Sequence, residues 1–435
     1  MSNLFQANWK TENYQPLSPY KFLMHEDRLR QFQQDYRSVR PVTAHVVPTL
    51  RCNQRCYFCT YGQYKEKGRE GDLQMDYADL QRIIYQLAEV GIKGLIFTGG
   101  GEPTIYPDLV RAMLLAKQSG MDVALNSNGS RGEDELIENI LKTNLKYVRI
   151  SLNNGLPATQ KLVTGRDNYK AVLKNIKKYS VLKSKISPDT DISVGFVVNV
   201  VNYHEILAFV DDMLQIEERV RIGTGSVQPI YSLQFRPVSN FKHSKHMTNT
   251  GRINELLACM QTKYSEEDHR ELYEFLNHGA QASARVMREA LETLKGDVSE
   301  SIKKQRSGIK IIYPEQKFID LIKSSKKPYS VCMSCPWYLF IWPDGNVYSC
   351  VEWAGNKELA IGNLQQDDLN AILAGDQRAR VYQKINNEFI QNACVPICAH
   401  HEMNILMNQI YGAKKTKENK LIGSEPVFVR HENFL

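Results

Sequence analysis

The sequence predicts an α/β protein: a parallel sheet built from repeated βα units, a helical insertion, and a small cysteine-rich α+β module behind it. Three observations lead there. Six short apolar runs between residues 44 and 237 alternate with amphipathic segments. Two of those segments end on glycine, as helices with a left-handed C-cap do. Beyond a charged, helix-patterned stretch, five of the nine cysteines crowd into residues 332–398. Strands alternating with helices indicate parallel pairing, because parallel strands need a long crossover between them.

Taken in order, residues 1–43 are a polar lead-in with one helix in "HEDRLRQFQQDY". The predicted strands are "AHVVPTL" (44–50), "GLIFTG" (94–99), "DVALNSN" (122–128), "YVRISL" (147–152), "ISVGFVVN" (192–199) and "SVQPIYSLQFRP" (226–237). Between them, "DYADLQRIIYQLAEVG" and "PDLVRAMLLAKQSG" carry apolar residues at helical spacing. These elements make a core over 44–239. Residues 240–328 break the rhythm and read as a helical insertion or lid. A cysteine-rich module occupies 329–405, and 406–435 is a Lys/Asn-rich tail.

At 435 residues, 42% apolar and 24% charged, the composition is that of an ordinary globular protein. No apolar run is long enough to span a bilayer, which excludes a helical membrane protein. Residues 1–45 lack the apolar core of a secretion signal, so a cytoplasmic location is expected. There, nine cysteines are expected as metal ligands or buried thiols rather than disulfides. The net charge of +7 favours an anionic partner or simply a solvated lysine surface.

The chemistry concentrates in "LRCNQRCYFCTYG", residues 50–62, where Cys52, Cys56 and Cys59 follow a C-x3-C-x2-C spacing just after the first strand. Zinc sites ordinarily use two separated C-x2-C pairs, whereas thiolates suit soft iron. Three thiolates can hold three irons of a [4Fe–4S] cube and leave the fourth iron open to another ligand. A second cysteine group reads C-x9-G-x4-C, from Cys335 through Gly345 to Cys350. The "PDGNV" turn between aromatic-rich runs predicts a hairpin that brings Cys335 and Cys350 together. "CVPIC" then supplies Cys394 and Cys398, making four ligands for zinc or a complete cluster. Cys332 is left over, as an alternative ligand or a neighbouring thiol. Cys259 reads as a buried small hydrophobe, and His400 and His401 as surface residues or outer donors to the cluster.

The triplet, with Phe58 before its last cysteine, resembles the signature of the radical S-adenosylmethionine (SAM) superfamily. The resemblance covers residues 44–237 and implies a partial (βα)6 TIM-type barrel. It implies that SAM chelates the open iron. A reduced cluster then cleaves SAM, and the resulting 5′-deoxyadenosyl radical abstracts a substrate hydrogen. "FTGGGEPTIYPDL" (97–109) lies where the family holds the SAM amino group, which implies roles for Gly99, Gly100, Gly101 and Glu102. Phe58 is implied near the adenine, and Arg149 and Ser151 of "YVRISLN" near the ribose or carboxylate of SAM. "LNSNG" (125–129) points polar side chains at the same barrel mouth, and "VGFVVN" matches an adenine-backing strand. Arg236 ends the sixth strand. For Arg149 and Arg236 a structural ion pair is the competing reading.

The C-terminal cysteines resemble the SPASM/Twitch auxiliary-cluster module of the same superfamily. The sequence has only two cysteines at its end where the two-cluster form has a longer run, which implies one auxiliary [4Fe–4S] cluster. The resemblance implies an enzyme acting on a small polar metabolite of sugar, aminocyclitol or nucleoside type, with a flavodoxin- or ferredoxin-type electron donor. A nucleotide or hypermodified DNA base is the second option, supported by the lysine-rich runs "KNIKKYSVLKSK" and "KSSKK". A ribosomal peptide is the third. The non-enzymatic reading is a zinc protein of structural or nucleic-acid-binding role, which leaves Glu102 and the glycine loop unused.

Overall fold

The computed structural model describes residues 18–62, 72–238, 264–278, 283–323, 326–415 and 430–435, with single residues at 256, 258 and 259. Part of the expected insertion, part of "KSSKK" and nearly half of the tail lie outside these residues.

Parallel strands β1 (Thr43–Val46), β2 (Gly94–Phe97), β3 (Asp122–Ser127), β4 (Tyr147–Ser151), β5 (Asp191–Val198) and β6 (Ser232–Pro237) follow one another in register. Each strand alternates between two faces. Ala44, Val46, Leu95, Phe97, Val123, Leu125, Val148, Ile150, Val194 and Phe235 are almost wholly buried in the main hydrophobic cluster. That cluster also takes in residues of the flanking helices, such as Leu80, Ile83 and Leu87 of Tyr77–Glu89. The other face carries His45, Thr98, Asn126, Arg149, Ser151, Ser193, Gln234 and Arg236, all lining one cavity. A polar lumen of this kind is costly unless it is wet or holds a ligand.

The glycine C-caps occur as predicted. Helix Tyr77–Glu89 is followed by Gly91 at φ +81°, and Leu109–Gln118 by Gly120 at φ +87°. "HEDRLRQFQQDY" forms Glu26–Gln34.

The sheet is larger than the six predicted strands. β7 (Lys310–Ile312), from within the expected helical insertion, pairs parallel to β6. β8 (Tyr338–Ile341) pairs parallel to β1 on the other edge. The predicted hairpin forms from β8 and β9 (Asn346–Tyr348), turning at Gly345 with φ +81°. β10 (Ala360–Asn363) completes ten strands in the order β10-β9-β8-β1-β2-β3-β4-β5-β6-β7. The cysteine module is therefore welded to the first barrel strand rather than tethered by a linker.

Residues 430–435 close the barrel floor, at the strand starts. Thr43 Oγ1 donates to the Asn433 carbonyl at 2.8 Å and accepts from the Leu435 amide at 2.9 Å. Asn433 Nδ2 donates to Asp122, and Arg430 donates to Asp191. Phe434 packs on Ile96, Ala124 and Tyr147. No described helix is long and apolar enough to cross a membrane.

Candidate functional site

The loop after β1 carries Cys52, Cys56 and Cys59, each partly exposed and each facing the lumen cavity. Two other barrel segments hold it. From the connection after β4, Arg55 and Tyr57 amides donate to the Thr164 and Val163 carbonyls at 2.8 and 3.1 Å, and Arg166 Nε donates to the Asn53 carbonyl at 2.8 Å. From the end of β3, Asn128 Nδ2 donates to Asn53 Oδ1, and Asn53 Nδ2 to Ser130 Oγ. Tyr57, on the same loop, donates to Asn199 Oδ1 at 2.7 Å, tying the loop to the end of β5. Asn53, Ser130, Arg166 and Asn199 were not singled out from the sequence, because their contacts are long-range. Phe58 lines the cavity and meets Tyr57 edge-on, with centroids 5.4 Å apart.

The glycine loop presses against the cysteine loop. The Gly101 amide donates to the Thr49 carbonyl and the Glu102 amide to the Arg51 carbonyl. A Cβ on Gly101 would lie 2.2 Å from the Arg51 carbonyl oxygen, and one on Gly100 2.4 Å from Leu50. The space that glycine frees here is filled by protein backbone and Leu50, rather than left open for a ligand alone. Glu102 is buried and already engaged. Oε1 accepts from the Thr104 amide, Thr104 Oγ1 and Ser127 Oγ, and Oε2 from the Asn128 amide at 2.7 Å. A carboxylate has about four lone-pair sites, so Oε2 retains one acceptor position for an ammonium.

Arg149 of β4 and Arg236 of β6 also line this cavity. Neither side chain forms a hydrogen bond or an ion pair among the described residues, and the Nε of each is buried without a partner. The expected alternative of a structural ion pair does not occur there. The Arg236 guanidinium is pushed down to about 9, first by the charge of Arg149 and then by burial. Burial lowers Arg149 as well. His45, stacked on Phe340 at 5.7 Å, is held at about 4 by burial and then by Arg149. Gln234 Oε1 and Asn126 Oδ1 are buried acceptors with no donor.

The C-terminal cysteines converge as the hairpin reading predicted, and Cys332 joins them. Cys332, Cys335, Cys350, Cys394 and Cys398 all line one small cavity, with the sulfurs of Cys332 and Cys335 3.2 Å apart. Burial pushes the Cys394 and Cys398 thiols up, whereas the hydrogen bond from Cys335 brings Cys332 down to about 6. His400 and His401 are buried, not on the surface. His400 stacks on Tyr338 at 3.8 Å, and His401 bonds Tyr329 Oη and Asp320 Oδ2 at 3.1 and 2.7 Å. Tyr329 Oη is in turn 3.9 Å from Cys398 Sγ. Cys259 is half-buried rather than buried. Within "KNIKKYSVLKSK", Lys178 and Lys183 donate to the Gly132 and Thr190 carbonyls and so serve the fold rather than a phosphate backbone.

The two cysteine groups meet at a shared wall. Cys52, Cys56 and Cys59 line a cavity of about 520 Å³, which Val351, Glu352 and Cys398 also line. Val351, Glu352, Cys398, Ala399 and His400 line both cavities. Among the described residues, no three His, Cys, Asp or Glu side chains converge on a single ion position. Thiolates suit iron, and a cubane takes its thiolates on separate irons. The donor sets therefore fit iron–sulfur clusters at both places.

A model of the radical SAM superfamily matches residues 46–213, and a model of the SPASM iron-sulfur cluster-binding domain matches residues 337–400. The chain is 32% identical over 145 residues to a probable GTP 3′,8-cyclase of Thermococcus kodakarensis, covering 32% of this chain and 44% of that protein. It is 29% identical over 176 residues to the Fe-coproporphyrin III synthase of Methanosarcina barkeri, covering 40% of this chain and 41% of that one. The chain thus spans less than half the length of either relative. The fold is that of Streptococcus suis SuiB bound to its precursor peptide SuiA, with a TM-score of 0.56 at 15% identity over 96% of this chain and 81% of that one. With both domains matched in sequence, over residues 46–213 and 337–400, the chain belongs to the radical SAM superfamily and carries a C-terminal SPASM-type iron–sulfur module.

Proposed function

We propose that the chain is an enzyme that modifies a small polar metabolite, of sugar, aminocyclitol or nucleoside type, held between two iron–sulfur centres. The carrying observation is the single cavity of about 520 Å³ that reaches from the Cys52, Cys56 and Cys59 loop to Glu352 and Cys398. That size suits a small-molecule site. Cys52, Cys56 and Cys59 would hold a [4Fe–4S] cluster, which when reduced would supply the electron for SAM cleavage and hydrogen abstraction from the substrate. This chain's residues position the reactants and keep water out. Phe58, the Gly99–Gly101 loop, Oε2 of Glu102 and Ser151 line the mouth where SAM binds. Cys335, Cys350, Cys394 and Cys398 hold one auxiliary [4Fe–4S] cluster, with Cys332 close enough to Cys335 to take a place. A flavodoxin- or ferredoxin-type protein delivers the electron, in the reducing cytoplasm where such thiolates persist.

The test is anaerobic reconstitution with iron and sulfide, then dithionite and SAM. About eight irons per chain and release of 5′-deoxyadenosine are expected, with release accelerated by the true substrate. About four irons with cleavage would reassign the C-terminal thiols to zinc. No iron uptake and no cleavage would return both cysteine groups to a structural role and overturn the reading.

A further inference from the structure

The lumen holds two cations that the cluster and SAM readings do not use together. Arg149 on β4 and Arg236 on β6 flank β5, and between them stands Gly195. A Cβ on Gly195 would lie 3.9 Å from Arg149 Cδ and 3.9 Å from Arg236 Nη2. The missing side chain thus opens a gap into which both arginines face. Two like charges in a protein interior are unfavourable without an anion, and a guanidinium offers a planar fork matched to oxyanions. No carboxylate among the described residues pairs with either. Arg149 lies midway along β4, one inward step below Ser151, and Arg236 lies one residue from the end of β6. Gln234 Oε1 and Asn126 Oδ1, both buried and lacking donors, line the same cavity.

We infer that Arg149 and Arg236, with Gly195 between them, form an oxyanion-binding site for the substrate, a small metabolite bearing a carboxylate or phosphate. Gln234 and Asn126 then accept hydrogen bonds from its hydroxyl or amino groups. The inference rests on the proposed function for its substrate, but its test is a binding measurement. The other source of an oxyanion at this place is the carboxylate of SAM, and the test separates the two.

The reconstituted 435-residue chain, saturated with SAM at low ionic strength, is titrated calorimetrically with inorganic phosphate and with acetate. SAM affinity is measured on SAM-free portions of the same preparations. Saturable binding of at least one probe in the wild type is expected, weakened at least tenfold in Arg149→Gln and in Arg236→Gln, with SAM affinity within about twofold. Gly195→Asp has room, since its Cβ meets only ordinary contacts. Its carboxylate would occupy the gap, so this variant is expected to bind neither probe and to melt higher than wild type. Absence of binding in the wild type, or binding as tight as wild type in both arginine variants, overturns the site. So does a tenfold loss of SAM affinity in the arginine variants, which would assign the pair to SAM. Uncoupled 5′-deoxyadenosine release is read separately. If it fails while phosphate or acetate binding follows the arginines, the radical-enzyme reading falls and the anion site stands.

Discussion

Glu102 is the carboxylate on which the glycine loop hangs. It accepts four hydrogen bonds from Thr104, Ser127 and Asn128, and it is almost fully buried. Glu102→Gln turns one acceptor oxygen into a donor facing existing donors. The expected cost is about 1–3 kcal/mol in denaturant unfolding, with weaker SAM binding by equilibrium dialysis. Lys21 gives a residue-level dependence on pH. It donates to the Phe434 carbonyl at 2.6 Å, and burial lowers it to about 7 against the partly opposing charge of Glu432. The unfolded chain keeps the ordinary value near 10.5. Between those values the unfolded state binds more protons, so stability rises with pH through that window and falls as pH drops towards 7. Lys21→Met removes this slope. Relative to that variant, the wild type is expected to gain unfolding free energy from pH 7 to pH 9, and a flat difference would refute the assignment.

At the scale of elements, the β8–β9 hairpin aims cysteines. Gly345 turns it at φ +81°, and a Cβ there would meet Asn363 Oδ1 at 2.8 Å. Gly345→Ala is expected to cost about 1–2 kcal/mol from the left-handed backbone alone, and to lower iron at the C-terminal site while sparing the loop cluster. The floor segment 430–435 is the second decisive element. Phe434 is buried against Ile96, Ala124 and Tyr147, and Phe434→Ala is expected to cost about 3–5 kcal/mol by chemical unfolding. The C-x9-G-x4-C pattern made the hairpin legible, because the turn chemistry is local. The floor was not legible: 430–435 is a short turn whose contacts lie some 240 to 410 residues away in sequence.

For the whole molecule, the β1–β8 pairing makes the barrel and the cysteine module one sheet, with His45 opposite Phe340 in register. The two proposed metal centres nevertheless draw on separate ligand sets. Replacing Cys52, Cys56 and Cys59 together by alanine is expected to leave about four irons per chain and abolish 5′-deoxyadenosine release. Replacing the five C-terminal cysteines is expected to leave the other four irons and the uncoupled cleavage. Loss of all iron in either variant would show that the centres assemble as one unit.

The sequence by itself determined what repeats or is local: six strands from their apolar alternation, helix ends from glycine, the cysteine triplet, and the hairpin that gathers Cys335 and Cys350. These signals live within about ten residues, where spacing and backbone geometry act directly. Tertiary structure alone decided that β7 and β8 extend the sheet, that Cys332 joins the C-terminal thiols, and that His400 and His401 are buried. It also decided that Glu102 is spent on Thr104 and on the end of β3, and that Arg149 and Arg236 face one gap without an acid between them. Such outcomes depend on which distant strands become neighbours, and a residue's own sequence surroundings carry no trace of that pairing.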